Sequence, residues 1–323
     1  MADLNNVATG AKNQCQPRAN ERFCKCCYGI VEAGEDDTCS VCGQPTTRRL
    51  SRILRVLGPL LLSAVSLSPL ATECPELYLT KREPQILGPV SGRFFELCNR
   101  EYAVLVSEVT MSPLYAVERL TPAQMKGADQ ITRSHVEFGE DYRLPVEVRA
   151  TSYSFSQSGW DRGHLAAAAD FGSKAAQDES FLLSNVVPQS PKVNRGVFAD
   201  IERAVRHIAH KSTTHVVTGP LYLGAPRYLS NTSIAIPSNL YKAVYSPQAG
   251  MVGVYVVGNG DDETYSVLSV DEFTRLSGID VFPTLPDDVR AYKALPKPFS
   301  REVAYWGNRR IRKKSYAKLT VFS

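Results

Sequence analysis

Asp161, Arg162, Gly163 and His164 stand in four consecutive positions of "SGWDRGHLAAAADF", residues 158–171. An imidazole titrates near about pH 6.5, so a neutral His164 can take a proton from water at physiological pH. The neighbouring guanidinium of Arg162 offers a fixed positive charge that suits a phosphate. Gly163 reads as a residue free to adopt turn geometry, with Tyr153, Phe155 and Trp160 on a strand that ends there. Taken alone, the quartet is equally a surface turn with a structural histidine.

Thirty residues on, "SNVVPQSPKVNRGVFADIERAVRHIAH" changes that balance. Val193, Val197, Ile201, Val205 and Ile208 recur at steps of three and four, the pattern of a helix over 193–210. Asn194 and Glu202 are eight positions apart on it, a little over two turns, and so face one side. An amide oxygen and a carboxylate so placed can hold a divalent cation that keeps most of its waters, which points to Mg²⁺ or Mn²⁺. His207, His210 and His215 invite a second metal site, but a helix end running into a strand accounts for them as structural residues.

With these motifs in view, the chain resembles the DNA/RNA non-specific endonuclease family, within the ββα-metal nucleases, over roughly residues 75–295. The resemblance rests on the DRGH stretch at 161–164, "SNVVPQ" at 184–189, the Asn194-to-Glu202 spacing and "VVTGP" at 216–220. It implies that His164 is the general base, that Asn194 is the direct ligand of Mg²⁺ and that Glu202 holds the metal's waters. Arg162 matches the arginine that braces the phosphate. A second, upstream arginine is expected by the phosphate, with Arg133 the first choice and Arg149 the competitor. Asp161 is read as orienting the loop. The family often continues DRGH with Ala-Pro, where this chain has "LAAAADF"; every reacting group is nevertheless in place. The resemblance also implies 5′-phosphate products, a tendency to dimerise, and a disulfide between Cys74 and Cys98 near the start of the domain, for which two buried thiols are the alternative.

Six of the eight cysteines precede residue 50. Cys24-x₂-Cys27 and Cys39-x₂-Cys42 have the spacing of a Cys₄ zinc ribbon, although Cys26 could replace a ligand and Cys15 is also near. Arg48, Arg49, Arg52 and Arg55 lead into an almost uncharged run that ends at Ala71, the pattern of a signal-anchor helix over 53–71. A buried linker helix is the alternative. An anchor would place the ribbon, which needs reduced thiols, in the cytoplasm and the nuclease outside the membrane; the rival is a soluble intracellular enzyme.

Residues 56–300 carry 26 acidic and 22 basic side chains, so the basic excess lies in the tail "RRIRKKSYAK" and not in the body. That tail, with Tyr305, Trp306 and Tyr316 nearby, could grip nucleic-acid backbone through charge and stacking; a solvated basic tail is the alternative. The expected architecture is α+β: a ββα-metal nuclease fold with a central antiparallel sheet flanked by helices. Before it come a small zinc ribbon and one apolar helix. The boundaries read 1–20 disordered, 21–47 zinc ribbon, 48–72 basic flank and apolar helix, 73–300 nuclease, 301–323 basic tail. The function expected is sequence-independent hydrolysis of phosphodiesters in DNA and RNA. Its rival is an inactive nucleic-acid-binding protein of the same fold.

Overall fold

The computed structural model describes residues 72–88, 91–261 and 264–300, and the backbone of two strands nearer the N-terminus. The chain divides into two units, residues 1–66 and 67–323. In the first, β1 (Glu21–Cys24) pairs antiparallel with β2 (Gly29–Glu32), with Cys24 opposite Gly29. The other three expected zinc ligands (Cys27, Cys39 and Cys42), the apolar segment 53–71 and the basic tail lie outside the described residues, as does the side chain of Cys24.

The second unit is built on a seven-stranded antiparallel sheet. Its strands are β4 (Phe94–Cys98), β5 (Tyr102–Ser107), β6 (Ser112–Leu120), β9 (Thr214–Leu221), β12 (Asn239–Ser246), β13 (Met251–Gly258) and β14 (Tyr265–Leu268). They lie side by side in the order β14-β13-β12-β9-β6-β5-β4. The runs "YAVLVS" and "MVGVYVVG" are apolar on both sides of the chain because both faces of the sheet are covered, which fits nearly continuous hydrophobic strands. Val104, Leu240 and Val244 face one core, while Ala103, Tyr241 and Ala243 face the other. This alternation follows the two-residue period of a strand.

One face is covered by α4 (Val197–Ala209), whose Val197, Phe198, Ile201, Ala204, Val205 and Ile208 form a buried stripe. Removing Phe198, Ile201 and Val205 from water contributes about 1.5–3 kcal/mol each. The other face is covered by α5 (Val270–Ser277) and the segment at Cys74–Tyr78. Helix α5 begins with a Ser269/Glu272 capping box and stops at Gly278, in the left-handed region at φ 69°. Cys74 and Cys98 are bonded Sγ to Sγ on this side.

Two expectations are corrected. The helix over 193–210 is two helices, α3 (Pro191–Arg195) and α4, separated at Gly196, whose φ −105° and ψ −112° leave helical space. Tyr153 and Phe155 lie on a 3₁₀ turn, Ser152–Phe155, and the strand β7 (Asp161–His164) begins only after it. A helix needs about 20 apolar residues to cross a bilayer. Among the described residues no helix is long and apolar enough to do so.

Candidate active site

The whole DRGH quartet is strand β7, paired antiparallel with β8 (Val186–Gln189) so that His164 stands opposite Val186 and Gly163 opposite Val187. Gly163 does not have a positive φ, so turn freedom is not its purpose. A Cβ there would overlap the side-chain amide of Gln189, which is itself buried. The glycine is a close-approach residue. Beyond His164 the chain is clamped by a buried Asn185, whose Oδ1 accepts from Ala166 N at 3.0 Å. Its Nδ2 donates to the carbonyls of Ala166 at 2.9 Å and Ser180 at 3.0 Å. These bonds fix the backbone just after His164.

His164 opens on a cavity of about 460 Å³ whose walls include Arg133, Arg162, Asn194 and Glu202. Phe138 and Phe181 flank the imidazole, each with ring centroids 5.1 Å away, Phe181 edge-on. Its Nε2 is buried and finds no hydrogen-bond partner among the described residues. Burial and then the positive charge of Arg133 push its pKa down to about 3, so the folded protein holds a neutral imidazole.

Although α3 and α4 are separate, both Asn194 and Glu202 reach the same cavity. The short turn at Gly196 does what two continuous helical turns would have done. Asp161, the first residue of β7, fixes α3 from below: Asn194 Nδ2 donates to its Oδ2 at 2.9 Å. Arg195 donates to both its oxygens at 2.8 and 2.6 Å. Burial opposes ionisation of Asp161, yet these bonds outweigh it and hold the carboxyl below its ordinary range. The Asn194 oxygen accepts no hydrogen bond among the described residues, the condition a metal ligand needs. Burial lifts the Glu202 carboxyl above its ordinary range, with Arg206 and Lys242 pulling the other way. An amide oxygen and a carboxylate on one wall are hard donors of the kind that suit a hydrated Mg²⁺ or Mn²⁺.

Of the remaining residues singled out in the sequence, Arg162 donates from Nη2 to the Ser152 carbonyl at 3.0 Å and lies over Phe138 and Phe155. Arg133 lies over Phe181, on the cavity wall. Arg149 is not on that wall; its guanidinium donates to the Leu144 carbonyl at 2.7 Å and stacks on Tyr142 at 4.6 Å. His207 and His215 have lowered pKa values, chiefly through burial. His210 is 3.7 Å from Asp129. Among the described residues none of the three is part of a cluster able to hold a metal.

Two supports of the site carry little signal in the sequence. Asn185 is one, although it lies inside the "SNVVPQ" segment. Asn259 is the other: it accepts from Ser190 N at 2.8 Å and donates to the carbonyls of Pro188 and Pro237. A buried asparagine spanning two distant segments has no period and no local motif to reveal it.

The sequence profile of the DNA/RNA non-specific endonuclease family matches residues 88–288. Human mitochondrial endonuclease G is 30% identical over 223 residues, 62% of this chain and 74% of its own length. The mitochondrial nuclease of Saccharomyces cerevisiae is 29% identical, over 66% and 72% of the two chains. Nuclease C1 of Cunninghamella echinulata is 32% identical, over 52% and 75%. Among solved structures, the crystal structure of the EndoG/EndoGI complex aligns with TM-score 0.55 at 25% identity, over 61% of this chain and 91% of the other. These findings overturn the expected membrane-anchored, extracytoplasmic nuclease. Human, yeast and frog relatives are named as mitochondrial enzymes. On the match over 88–288, the chain belongs to the DNA/RNA non-specific endonuclease family and is an endonuclease of that class.

Proposed function

We propose that the protein hydrolyses phosphodiester bonds in DNA and RNA without regard to sequence, with His164 as general base and the cation on Asn194 and Glu202. The observation that carries this reading is the environment of His164. Its imidazole, flanked by two phenylalanines and with a buried Nε2 that has no partner among the described residues, shares one cavity with two hard oxygen donors and two arginines. In this reading His164 takes a proton from water as the water oxygen attacks phosphorus in line with the departing 3′ oxygen. The bond to the 3′ oxygen breaks, leaving a 5′-phosphate and a 3′-hydroxyl. Arg162 and Arg133 meet the non-bridging oxygens, where negative charge grows. The cation, when bound, offsets charge on the leaving oxygen. Asp161 positions Asn194 through the bond from its amide. Contacts made to phosphate and sugar give no means of reading bases, so sequence should matter little.

The test is cleavage of supercoiled plasmid and of total RNA by the full chain with Mg²⁺. His164→Ala should lose about 10²–10⁴-fold in rate, and Asn194→Ala should lose activity that raised Mg²⁺ partly restores. Cleavage that survives His164→Ala would remove the histidine from the mechanism. Cleavage by neither protein, across several divalent metals, would favour the inactive nucleic-acid-binding alternative. For the N-terminal region, the Cys24-x₂-Cys27 and Cys39-x₂-Cys42 spacing supports one structural Zn²⁺. Metal analysis of the purified chain should find it, and Cys39→Ser should remove it.

A further inference from the structure

Beside the His164 cavity lies a second hollow, lined by Gly159, Trp160, Ser190, Arg227, Asn259 and Asp261. Trp160 belongs to the walls of both. Its indole is half-buried and packs against the apolar cluster that contains Leu229 and Ile234, so the ring is fixed from behind. Arg227 is on β10 (Arg227–Tyr228), a two-residue strand held against β11 (Ala235–Ile236). Its guanidinium lies 5.6 Å from the centre of the Trp160 ring.

The charges around this hollow are unevenly matched. Asp261 is taken up by Lys192 at 3.5 Å. Arg195, nearer the catalytic wall, is taken up by Asp161. Arg227 is exposed, and among the described residues its guanidinium makes no ion pair and no hydrogen bond, only the contact with Trp160. An exposed, unpaired guanidinium stacked on an aromatic ring offers a charge for a phosphate and planar surfaces for a base. Because Trp160 is shared, a strand whose scissile phosphate is at His164 can leave the cavity past the indole.

Resting on the nuclease reading above, we propose that Trp160 and Arg227 form a nucleotide subsite for the residue next to the scissile phosphate. Arg227 meets that residue's phosphate, and its base layers against the Trp160–Arg227 pair. Stacking on this pair tolerates every base, so the subsite would add affinity without sequence preference.

The experiment measures binding of a fluorescent single-stranded oligonucleotide to His164→Ala full-length protein, with and without Arg227→Ala or Trp160→Leu added. Each addition should weaken binding about tenfold. Arg227→Ala should also lower the slope of log affinity against log salt by about one, the signature of one lost phosphate contact. Trp160→Phe and Arg227→Lys should restore part of the affinity. In the otherwise wild-type protein, Arg227→Ala should raise KM for polynucleotide far more than it affects hydrolysis of bis(p-nitrophenyl) phosphate, which has no neighbouring nucleotide. Equal losses on both substrates would mean a structural role and overturn the subsite, as would unchanged binding. If the wild type neither binds nor cuts nucleic acid, the nuclease reading falls first; if it cuts and the variants bind as before, only the subsite falls.

Discussion

On the face of the sheet that packs against α5, the strands present Tyr115, Val117, Val217, Tyr241 and Ala243 to Phe273 and Phe282. On the face that packs against α4, the same strands bring in Glu118, Thr218 and Lys242, all wholly buried. Lys242 Nζ donates to Thr218 Oγ1 at 2.7 Å, approaches Glu118 at 3.8 Å and lies over Phe198 of α4. It also comes within 3.5 Å of the carbonyl of Leu165, the residue after His164. Arg206 of α4 donates to Asp170 at 2.7 Å and lies 3.9 Å from Glu202. Burying a charge costs free energy unless it is matched, and even matched pairs contribute little net stability. Burial duly holds the Glu118 carboxyl well above its ordinary range. Both faces supply stability through apolar burial. The face against α4 gives some of it up in exchange for fixed distances beneath the cavity.

Substitutions on the two faces should therefore fail differently. Phe273→Ala leaves a cavity on the apolar face and should cost about 3–5 kcal/mol in chemical denaturation. Its kcat should be unchanged at temperatures where the variant is folded. Lys242→Met should cost less, about 1–3 kcal/mol, because it leaves the buried Thr218 hydroxyl without its donor and Glu118 without its neighbour. In this variant kcat should fall as well, since the supports of Leu165 and α4 are disturbed. If Lys242→Met keeps full kcat, the charged face is not holding the site and the contrast fails.

The disulfide sharpens the same contrast from the apolar side. Cys74 and Cys98 are 24 residues apart, and a loop of that size should contribute about 3 kcal/mol by restricting the unfolded chain. Reduction, or Cys74→Ser with Cys98→Ser, should lower the unfolding free energy by that amount while kcat holds. A fall in kcat on reduction would tie this distant edge to the cavity.

The charged face is also where the sequence was hardest to read. Strands such as "YAVLVS" and the apolar stripe of α4 announce themselves through period, and the chemistry of DRGH, Asn194 and Glu202 through residue type and spacing. Glu118 and Lys242 look like ordinary solvent-facing charges in strands, and only the sheet's two-sided burial turns them inward. The break at Gly196 was hidden for a similar reason: the apolar period runs straight across it, from Val193 to Val197. Nothing local in "VNRGVF" says that α3 must tilt so that Asn194 can meet Asp161, 33 residues earlier. The sequence marks Gly163 as special, but for a turn it does not make. Its partner Gln189 arrives from another strand, which no window around the glycine contains.

Gly163 gives the next test, one of fit inside the charged face. Gly163→Ala sets a methyl against the Gln189 amide, and overpacking of this kind should cost about 1–3 kcal/mol. Because His164 is the next residue, kcat should drop more than stability alone accounts for. Adding Gln189→Ala should recover stability, and a double-mutant cycle would give the coupling. Recovery of stability without recovery of kcat would show that Gln189 itself helps to set β7.

The last expected effect concerns pH. The folded protein lowers the pKa of His164 from 6.5 to about 3, through burial first and Arg133 second. Between those values the unfolded chain binds a proton that the folded chain refuses, so acidification through this window should destabilise the protein. Over the same window the imidazole of the folded enzyme stays neutral and able to act as a base. His164 should therefore not set the acid limb of kcat/KM. Arg133→Gln removes the smaller of the two causes, which should raise the histidine pKa in part and make acid unfolding less steep. The acid limb of the variant should stay where it is in the wild type. Profiles of kcat/KM against pH for the wild type and Arg133→Gln would check this. A limb near about 6.5 in the wild type would mean that His164 is solvated and charges freely. The two phenylalanines would then not be keeping it neutral, and the charged face would owe its reactivity to something other than exclusion of water.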